Sequence, residues 1–128
     1  VAKIIALLRR YDILKTVKTN STPWFSTILD YIDLHYKEEI SLSEISAAAN
    51  VTPAHFCRTF RQITKTTFIN YLNFVRVGKA EVLLRESTAS ITEIATQTGF
   101  SSTAYFSKIF RQYKFCTPGE YRKINTKV

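Results

Sequence analysis

The chain has 128 residues, of which 45% are hydrophobic and 13% are aromatic. That length fits one ordinary domain or two very small lobes, and the apolar content excludes a chain that is disordered throughout. The formal net charge of +8 favours an anionic partner, of which nucleic acid is the first candidate. A membrane surface is the second candidate, and a basic domain that binds no polyanion is the third interpretation.

The cysteines and the start of the chain narrow the remaining classes of protein. Cys57 and Cys116 have no further ligand at metal-binding spacing, which predicts no zinc site, no disulfide framework and no cofactor. Unpaired thiols fit a reducing cytosol, so we expect a cytoplasmic protein. The apolar start VAKIIALL is too short to span a bilayer, and no Met stands at position 1. We therefore expect a piece of a longer protein that has no membrane partner.

The first elements along the chain are helical. Residues 1–18 are basic and amphipathic, and the apolar side chains on or near one face are Ile4, Ile5, Leu8 and Ile13. Thr22 and Pro23 then predict the start of a helix whose apolar positions follow the helical period: Phe25, Ile28, Leu29, Ile32 and Tyr36. Three Gly and three Pro are few for a chain rich in tight turns, which favours an all-α fold.

An internal repeat follows. SLSEI at 41–45 aligns with SITEI at 90–94, and HFCRTFRQ at 55–62 aligns with YFSKIFRQ at 105–112. The offset between the copies grows by one residue between these two matches, so the second copy has one extra residue, which we place near Ala104. A repeat of this length predicts one supersecondary unit that is used twice.

Each copy has the pattern of two short helices joined by a tight turn. The first helix opens with a capping box, SLSE at 41–44 and SITE at 90–93. These helices end at Asn50 and Gly99, the residue types that adopt the left-handed conformation at least cost. A second helix then follows, so each copy predicts a helix-turn-helix.

The second helices are expected near 53–63 and 102–113. Thr52 caps the first of them with Pro53 at the first helical position, and Ser101 or Ser102 caps the other. Phe56 and Phe60, like Phe106 and Phe110, lie four residues apart and are predicted core positions. The opposite faces carry Ala54, Cys57, Arg58 and Arg61 in one copy and Thr103, Ala104, Ser107, Lys108 and Arg111 in the other. Neither 53–65 nor 102–114 contains a carboxylate, which favours an anionic partner on these faces.

Between the copies, residues 67–87 are apolar nearly all round and predict one long connecting helix. About 20 residues at 1.5 Å each give a length of roughly 30 Å, close to the roughly 34 Å that separate successive major grooves on one side of B-DNA. Gly78 predicts a close packing contact or a bend in this helix. A last capping box, TPGE at 117–120, predicts a final short helix.

At this point the motifs match a known pattern. The stretch SITEIATQTGFSSTAYFSKIFRQYKFCTPGEYR resembles the signature of the AraC/XylS family of bacterial transcription regulators. SLSEISAAANVTPAHFCRTFRQ and YLNFVRVGKAEVLL are similar to the rest of that family's DNA-binding domain. The resemblance covers about residues 24–124 and implies seven helices in two helix-turn-helix lobes joined by a long helix. It also implies that both second helices are recognition helices that enter adjacent major grooves of double-stranded DNA.

The resemblance implies the domain limits. Residues 1–20 are then a linker or the end of a preceding sensor or dimerisation domain, with a membrane-surface helix as the alternative. The remaining limits are 21–66 for the first lobe, 67–87 for the connecting helix and 88–128 for the second lobe. The implied partners are promoter or operator DNA, RNA polymerase and, through the preceding domain, a second copy of the chain, in the cytoplasm on the nucleoid.

The resemblance also implies the contact residues. The base-facing positions are Ala54, Cys57 and Arg58 in the first lobe and Thr103, Ala104, Ser107 and Lys108 in the second. Arg58 suits a bidentate pair with guanine, and Thr103 and Ala104 suit thymine methyl groups. The phosphate-facing positions are Arg61, Ser101, Ser102 and Arg111, with a solvated helix face as the alternative for the two arginines. Arg76 is expected to pair with a glutamate instead of contacting DNA.

Two positions depart from the family pattern, which has Gly where this chain has Lys65 and Phe115. We expect these helix ends either to close differently or to adopt the left-handed conformation with strain.

An enzyme is a second functional class, because similar modules occur fused to DNA-repair alkyltransferases, but the chain lacks the cysteine cluster that such repair needs. A protein-interaction module is a third, which the acid-free helices disfavour. Cys57 has two interpretations: a redox-sensitive thiol that affects DNA binding, or a small residue that is tolerated near a groove.

Overall fold

Seven α-helices and no strand make up residues 22–125, the part of the chain that the computed structural model describes. In chain order they are α1 Trp24–His35, α2 Leu42–Ala48, α3 Pro53–Thr64, α4 Phe68–Glu86, α5 Ile91–Gln97, α6 Thr103–Lys114 and α7 Pro118–Asn125. The all-α prediction and the seven expected helices are confirmed. The helix expected before residue 20 lies outside the described residues.

The described residues form two compact units. The first unit is residues 22–35 and 39–72, and the second unit is residues 36–38 and 73–125. Each unit contains one helix-turn-helix, α2–α3 in the first and α5–α6 in the second, while the long helix α4 contributes to both. The lobe limits at 21–66 and 88–128 stay a prediction.

The core of the first unit is aromatic. Phe56 and Phe60 of α3 are fully buried and stack with their ring centroids 5.6 Å apart. Phe25 of α1 packs on Phe60 at 5.4 Å, and Phe68 meets both α3 rings edge-on. Burying one such ring contributes about 1.5–3 kcal/mol, so these rings fix α3 against α1. Phe56 and Phe60 are therefore core residues, as predicted.

The core of the second unit repeats this arrangement. Phe106 and Phe110 of α6 are fully buried, with centroids 5.7 Å apart and an edge-to-face orientation. They form one apolar cluster with Phe100 of the turn and with residues of α4 and α5, namely Val77, Ala80, Leu84, Ile94 and Ala95. Tyr121 of α7 closes the cluster, its ring 5.3 Å from that of Phe110. In both units, therefore, phenylalanines four residues apart pack one face of the second helix into the core.

Local capping explains where the helices begin. At α5 the Ser90 hydroxyl accepts from the Glu93 amide at 3.0 Å, and the Glu93 carboxylate accepts from the Ser90 amide at 3.1 Å. The box predicted at 117–120 is also complete, with bonds of 2.9 and 3.1 Å. At α2, the bond present is that from the Glu44 amide to the Ser41 hydroxyl, at 3.1 Å, which is one half of the predicted box.

The turn of each helix-turn-helix has the predicted left-handed residue. Asn50 has a φ of 58° and Gly99 a φ of 92°. The amide of the next residue, Val51 or Phe100, donates to the carbonyl of Ser46 or Ala95, which are equivalent positions of α2 and α5. The turns are therefore alike as far as Val51 and Phe100.

The extra residue of the second copy lies in the turn. Thr52 directly follows Val51 and caps α3, whereas Ser101 stands between Phe100 and the cap Ser102. The placement near Ala104 is therefore wrong. Ala104 lies inside α6, where one inserted residue would turn the apolar face by about 100° away from the core.

Both helix ends that depart from the family pattern adopt the left-handed conformation. Lys65 has a φ of 63° and Phe115 a φ of 62°, and their amides donate to the carbonyls of Arg61 and Arg111 at 2.9 Å. The second of the two expected outcomes is thus confirmed. The Phe115 side chain is 89% exposed, so its ring gains little from packing at this strained position.

The expectation of a close contact at Gly78 is wrong. A β-carbon added to Gly78 would meet no atom of its surroundings within 4 Å. Helix α4 runs through this residue from Phe68 to Glu86. The glycine is therefore not required by packing against a neighbouring element.

Candidate nucleic-acid interface

In the first unit, the candidate interface is the exposed face of α3. The Thr52 hydroxyl accepts from the His55 amide at 3.2 Å, and Pro53 takes the first helical position, which fixes where the helix begins. With the phenylalanines buried on one side, the predicted contact residues are all exposed: Ala54, Cys57, Arg58 and Arg61. Because these positions are three or four residues apart, they share one face of the helix.

In the second unit, the corresponding face belongs to α6. Ser102 is the cap, since its hydroxyl accepts from the Tyr105 amide at 3.0 Å. The predicted contact residues Ala104, Lys108 and Arg111 are exposed, and so are Ser101 and Ser102 in the turn. Thr103 and Ser107 are half-buried. All these positions lie in the turn or on the polar side of the helix.

The Thr103 side chain, like that of Ser102, has a partner within the protein. The Thr103 hydroxyl donates to the Thr92 hydroxyl oxygen of α5 at 3.4 Å. The hydroxyl of Thr103 is used in this hydrogen bond, whereas its methyl group is not and could contact a ligand. Arg58 of the first unit, in contrast, is exposed and has a long side chain that can reach outward.

Glu93 and Glu44 lie in the first turns of the helices that precede α6 and α3. Glu93 belongs to the complete box at α5, and its hydrogen bonds from the amide and hydroxyl of Ser90 hold its pKa below the usual range. Glu44 lies in the first turn of α2, where a negative charge interacts favourably with the helix dipole. Since α3 and α6 contain no carboxylate, their exposed faces carry positive charge alone.

Arg76 of α4 binds the segment 36–38, against which the turn before α6 packs. Its Nε donates to the Tyr36 carbonyl and its Nη2 to the Glu38 carbonyl, both at 2.8 Å. The expected pairing of Arg76 with a glutamate side chain is therefore wrong, because its partners are backbone carbonyls. Burial lowers the pKa of Arg76. Gly99 packs closely on this group, since a β-carbon there would lie 2.9 Å from Arg76 Nε.

A shallow cleft of about 430 Å³ lies beside α3 in the first unit. Its lining residues are Thr22, Pro23, Trp24, His55, Thr59, Gln62 and Ile63. The His55 ring is 6.4 Å from that of Trp24, and its Nε2 is 3.5 Å from the Thr59 hydroxyl. The lining has no carboxylate or thiol, so it offers none of the usual acid–base pairs of an enzyme.

Residues 22–125 contain neither a candidate metal site nor a candidate membrane span. No three His, Cys, Asp or Glu side chains of this range come together in a group that would hold a metal ion. Nor does any helix of the range combine the length and the hydropathy needed to cross a membrane.

Sequence reasoning missed the polar contacts that attach α6 to its neighbours. Asn73, buried on α4, donates to the Tyr105 hydroxyl of α6 at 3.0 Å. Glu81, also buried on α4, contacts Lys114 of α6 and Tyr121 of α7. The available signal was an Asn and a Glu inside an otherwise apolar helix, because buried polar groups need partners.

Known proteins with similar sequences also contain a helix-turn-helix. A family model described as a helix-turn-helix domain matches residues 45–124, more than half of the chain. YdeC, an uncharacterised HTH-type transcriptional regulator of Bacillus subtilis, is 33% identical over 116 residues. The match takes in 91% of this chain and 39% of that protein, so the chain spans less than half the length of this relative.

Solved structures extend the similarity to the fold. A transcriptional regulator from Chromobacterium violaceum, of the group with an AraC-type DNA-binding domain, has a TM-score of 0.77 and 27% identity, covering 85% of this chain and 97% of that chain. The DNA-binding domain of AdpA, a global transcriptional factor solved in complex with a target DNA, has a TM-score of 0.74 and 27% identity, covering 77% and 89%.

Proposed function

Because the chain belongs to the AraC/XylS family of helix-turn-helix transcription regulators, which are not enzymes, we propose that it is the sequence-specific DNA-binding output domain of such a regulator. One observation carries the proposal. Each unit exposes one face of its second helix, and that face has cationic side chains and no carboxylate. Such a face attracts the phosphate backbone and presents side chains to base edges. The structure of AdpA with DNA supports this interpretation by similarity of fold.

In the first unit, α3 reads bases through Ala54, Cys57 and Arg58. The exposed guanidinium of Arg58 suits the O6 and N7 acceptors of guanine, with which arginine forms a bidentate pair. Ala54 and Cys57 are small and allow the helix to approach the groove closely. Arg61, one turn beyond Arg58, contacts a phosphate.

In the second unit, α6 reads bases through Thr103, Ala104, Ser107 and Lys108, and Arg111 contacts a phosphate. The Thr103 methyl and Ala104 suit thymine methyl groups. Ser101 and Ser102 lie at the amino-terminal end of α6, where the helix dipole also favours a phosphate. Because Ser102 accepts the Tyr105 amide, its hydroxyl proton is available to donate to that phosphate.

Fluorescence anisotropy with duplexes selected from a random library tests the proposal. We expect the logarithm of the affinity to fall with the logarithm of the salt concentration, with a slope of about −0.9 for each phosphate contacted. Arg58→Ala is expected to cost about 1–3 kcal/mol at one base position and to relax the preference there. Arg111→Ala is expected to weaken binding to all sequences and to reduce the salt slope by about 1.

Lys123→Ala is the matched control, because it removes one exposed cation from α7, a helix that contains none of the proposed contact residues. It is expected to change neither the base preference nor the salt slope by the amounts above. Equal affinity for every duplex would refute sequence-specific binding, and a salt-independent affinity would refute the phosphate contacts.

We also propose that α3 and α6 enter successive major grooves of one duplex. The 19 residues of α4 correspond to a length of about 28 Å, which is compatible with the roughly 34 Å repeat of B-DNA. Hydroxyl-radical footprinting should then protect two half-sites about one helical turn apart. Protection of a single half-site would contradict this arrangement.

The partners of the complete regulator belong to the same proposal. We propose that it acts in the cytoplasm on the nucleoid, contacts RNA polymerase at promoters, and forms a homodimer through a sensor domain joined to residues 1–20. The greater length of the relative from Bacillus subtilis supports a further domain in such proteins. Abortive initiation assays with and without the protein test the polymerase contact, and sedimentation of the full-length regulator tests the dimer.

A further inference from the structure

We propose that Glu81, Lys114 and Tyr121 form a positioning cluster that fixes the carboxyl end of α6, and thereby the register of its base-facing side chains on DNA. The three residues lie on three helices of the second unit, α4, α6 and α7. The inference rests on the proposed DNA binding, because a register matters only for a helix that reads bases.

The two carboxylate oxygens of Glu81 hold two different helices. Oε1 lies 2.8 Å from Lys114 Nζ of α6, and Oε2 accepts the Tyr121 hydroxyl of α7 at 2.8 Å. Arg85, one turn further along α4, donates to the same tyrosine oxygen at 3.0 Å and lies 4.0 Å from Oε2. One carboxylate thus joins three helices.

Burial makes these contacts obligatory. The Glu81 side chain is 6% exposed, so the charged carboxylate has little access to water. Removing one partner of a buried ion pair leaves an uncompensated charge, which is far more costly than breaking a surface pair. The end of α6 therefore cannot slide or rotate along α4 without exposing Glu81 or separating it from Lys114.

Lys114 differs in this respect from the other cations of α6. Its side chain is 21% exposed and its ammonium group is committed to Glu81, whereas Lys108 and Arg111 are exposed. The cluster consequently assigns Lys114 a positioning role within the protein and not a phosphate contact.

A second attachment lies at the other end of α6. There the buried Asn73 of α4 donates to the Tyr105 hydroxyl at 3.0 Å. From Tyr105 to Lys114 is nine residues, about 13.5 Å of helix, and from Asn73 to Glu81 is eight residues, about 12 Å. Two attachments with matching spacing fix both the axial position and the rotation of α6. The base-facing residues Ser107 and Lys108 lie between them.

The first unit has a different arrangement at the equivalent position. The residue that matches Lys114 in the repeat is Thr64, which is buried. Its hydroxyl donates to the Phe60 carbonyl at 2.8 Å and also lies 3.0 Å from the Thr66 carbonyl, so it closes the helix end locally. The cluster is therefore expected to control the base preference of the second half-site and not that of the first.

The experiment compares base preference in the two half-sites. Glu81→Gln, Lys114→Met and the double variant are measured against the selected duplex and against duplexes in which one half-site is scrambled. Each single variant is expected to reduce the preference for the intact second half-site by about tenfold, within the discrimination that one base contact provides. The first half-site preference and the salt slope are expected to stay as in the unchanged protein. The double variant is expected to lose no more than either single variant, because both remove the same pair.

Milder variants keep the test valid if a single variant does not fold. Tyr121→Phe removes one hydrogen bond and keeps the ring in the core, and it is expected to reduce the second half-site preference by a smaller factor. Lys114→Arg keeps the charge opposite Glu81 and is expected to restore the preference lost in Lys114→Met. Lys123→Met, which removes an exposed cation from α7, is the control and is expected to bind as the unchanged protein.

Two outcomes would overturn the positioning role. If Lys114→Met lowers the salt slope by about 1 while Glu81→Gln keeps the half-site preference, Lys114 is a phosphate contact. If the variants lower the melting temperature but leave both preferences intact, the cluster serves stability alone. Failure of the proposed function itself is separate, because the unchanged protein would then prefer no sequence in the first measurement.

Discussion

Gly99→Ala is expected to be among the most destabilising small substitutions in the chain. Gly99 lies in the turn between α5 and α6 with a φ of 92°, a conformation that side chains with a β-carbon rarely adopt. The new methyl group would overlap the Tyr36 carbonyl oxygen and would lie 2.9 Å from Arg76 Nε and 3.1 Å from the Lys37 α-carbon. Two of these three contacts are backbone atoms, so the turn cannot relax by a side-chain rotation.

The magnitude follows from two terms. A left-handed conformation costs a residue with a β-carbon about 1–2 kcal/mol. Displacing the Arg76 guanidinium weakens its bonds to Tyr36 and Glu38, and a hydrogen bond to a charged group contributes about 1.5–3 kcal/mol. Together we expect the free energy of unfolding to fall by about 2.5–5 kcal/mol, a large part of the stability of a small protein.

Urea denaturation followed by far-ultraviolet circular dichroism measures this change. Gly78→Ala is the matched control, since it adds the same methyl group to a helical glycine with no atom within 4 Å. That control is expected to raise the free energy of unfolding by up to about 1 kcal/mol through helix propensity. If Gly99→Ala lowers the free energy of unfolding by less than about 1 kcal/mol, the lower limit for left-handed strain alone, the reasoning about the turn is refuted.

Three further outcomes are expected. Phe115→Gly should raise the free energy of unfolding by about 1 kcal/mol in urea, because it removes left-handed strain and an exposed ring. Thermal stability should fall as the pH drops through the depressed folded pKa values of Glu93 and Glu120, because each carboxylate stabilises its cap only while ionised. The double variant Glu93→Gln/Glu120→Gln should flatten this dependence in melting curves, and an unchanged curve would contradict it. Alkylation of the exposed Cys57 should weaken DNA binding in the anisotropy assay and leave Cys57→Ser unaffected, whereas unchanged binding would remove Cys57 from the interface.

The sequence alone predicted the helices and their turns because the interactions that set them are local. The bonds from the Glu93 amide to Ser90 and from the His55 amide to Thr52 join residues three positions apart. The four-residue spacing of Phe56 and Phe60 places both rings on one face of any α-helix, whatever else surrounds it. The same period places the polar positions of α3 and α6 opposite their buried phenylalanines, so the sequence predicted which face of each helix is exposed.

The contacts that fix the second helix-turn-helix were decided by the tertiary structure. Arg76 reaches a carbonyl 40 residues away, Tyr121 reaches Glu81 over the same separation, and Asn73 reaches Tyr105 over 32 residues. No periodicity or capping rule encodes such pairs, because they depend on which side chains are buried together after folding. For the same reason the partner of Arg76 was predicted wrongly, and so was the close contact that was one of the two alternatives at Gly78. The sequence thus determined the two exposed helix faces, whereas the polar anchors that hold the second of them arise where separate helices meet.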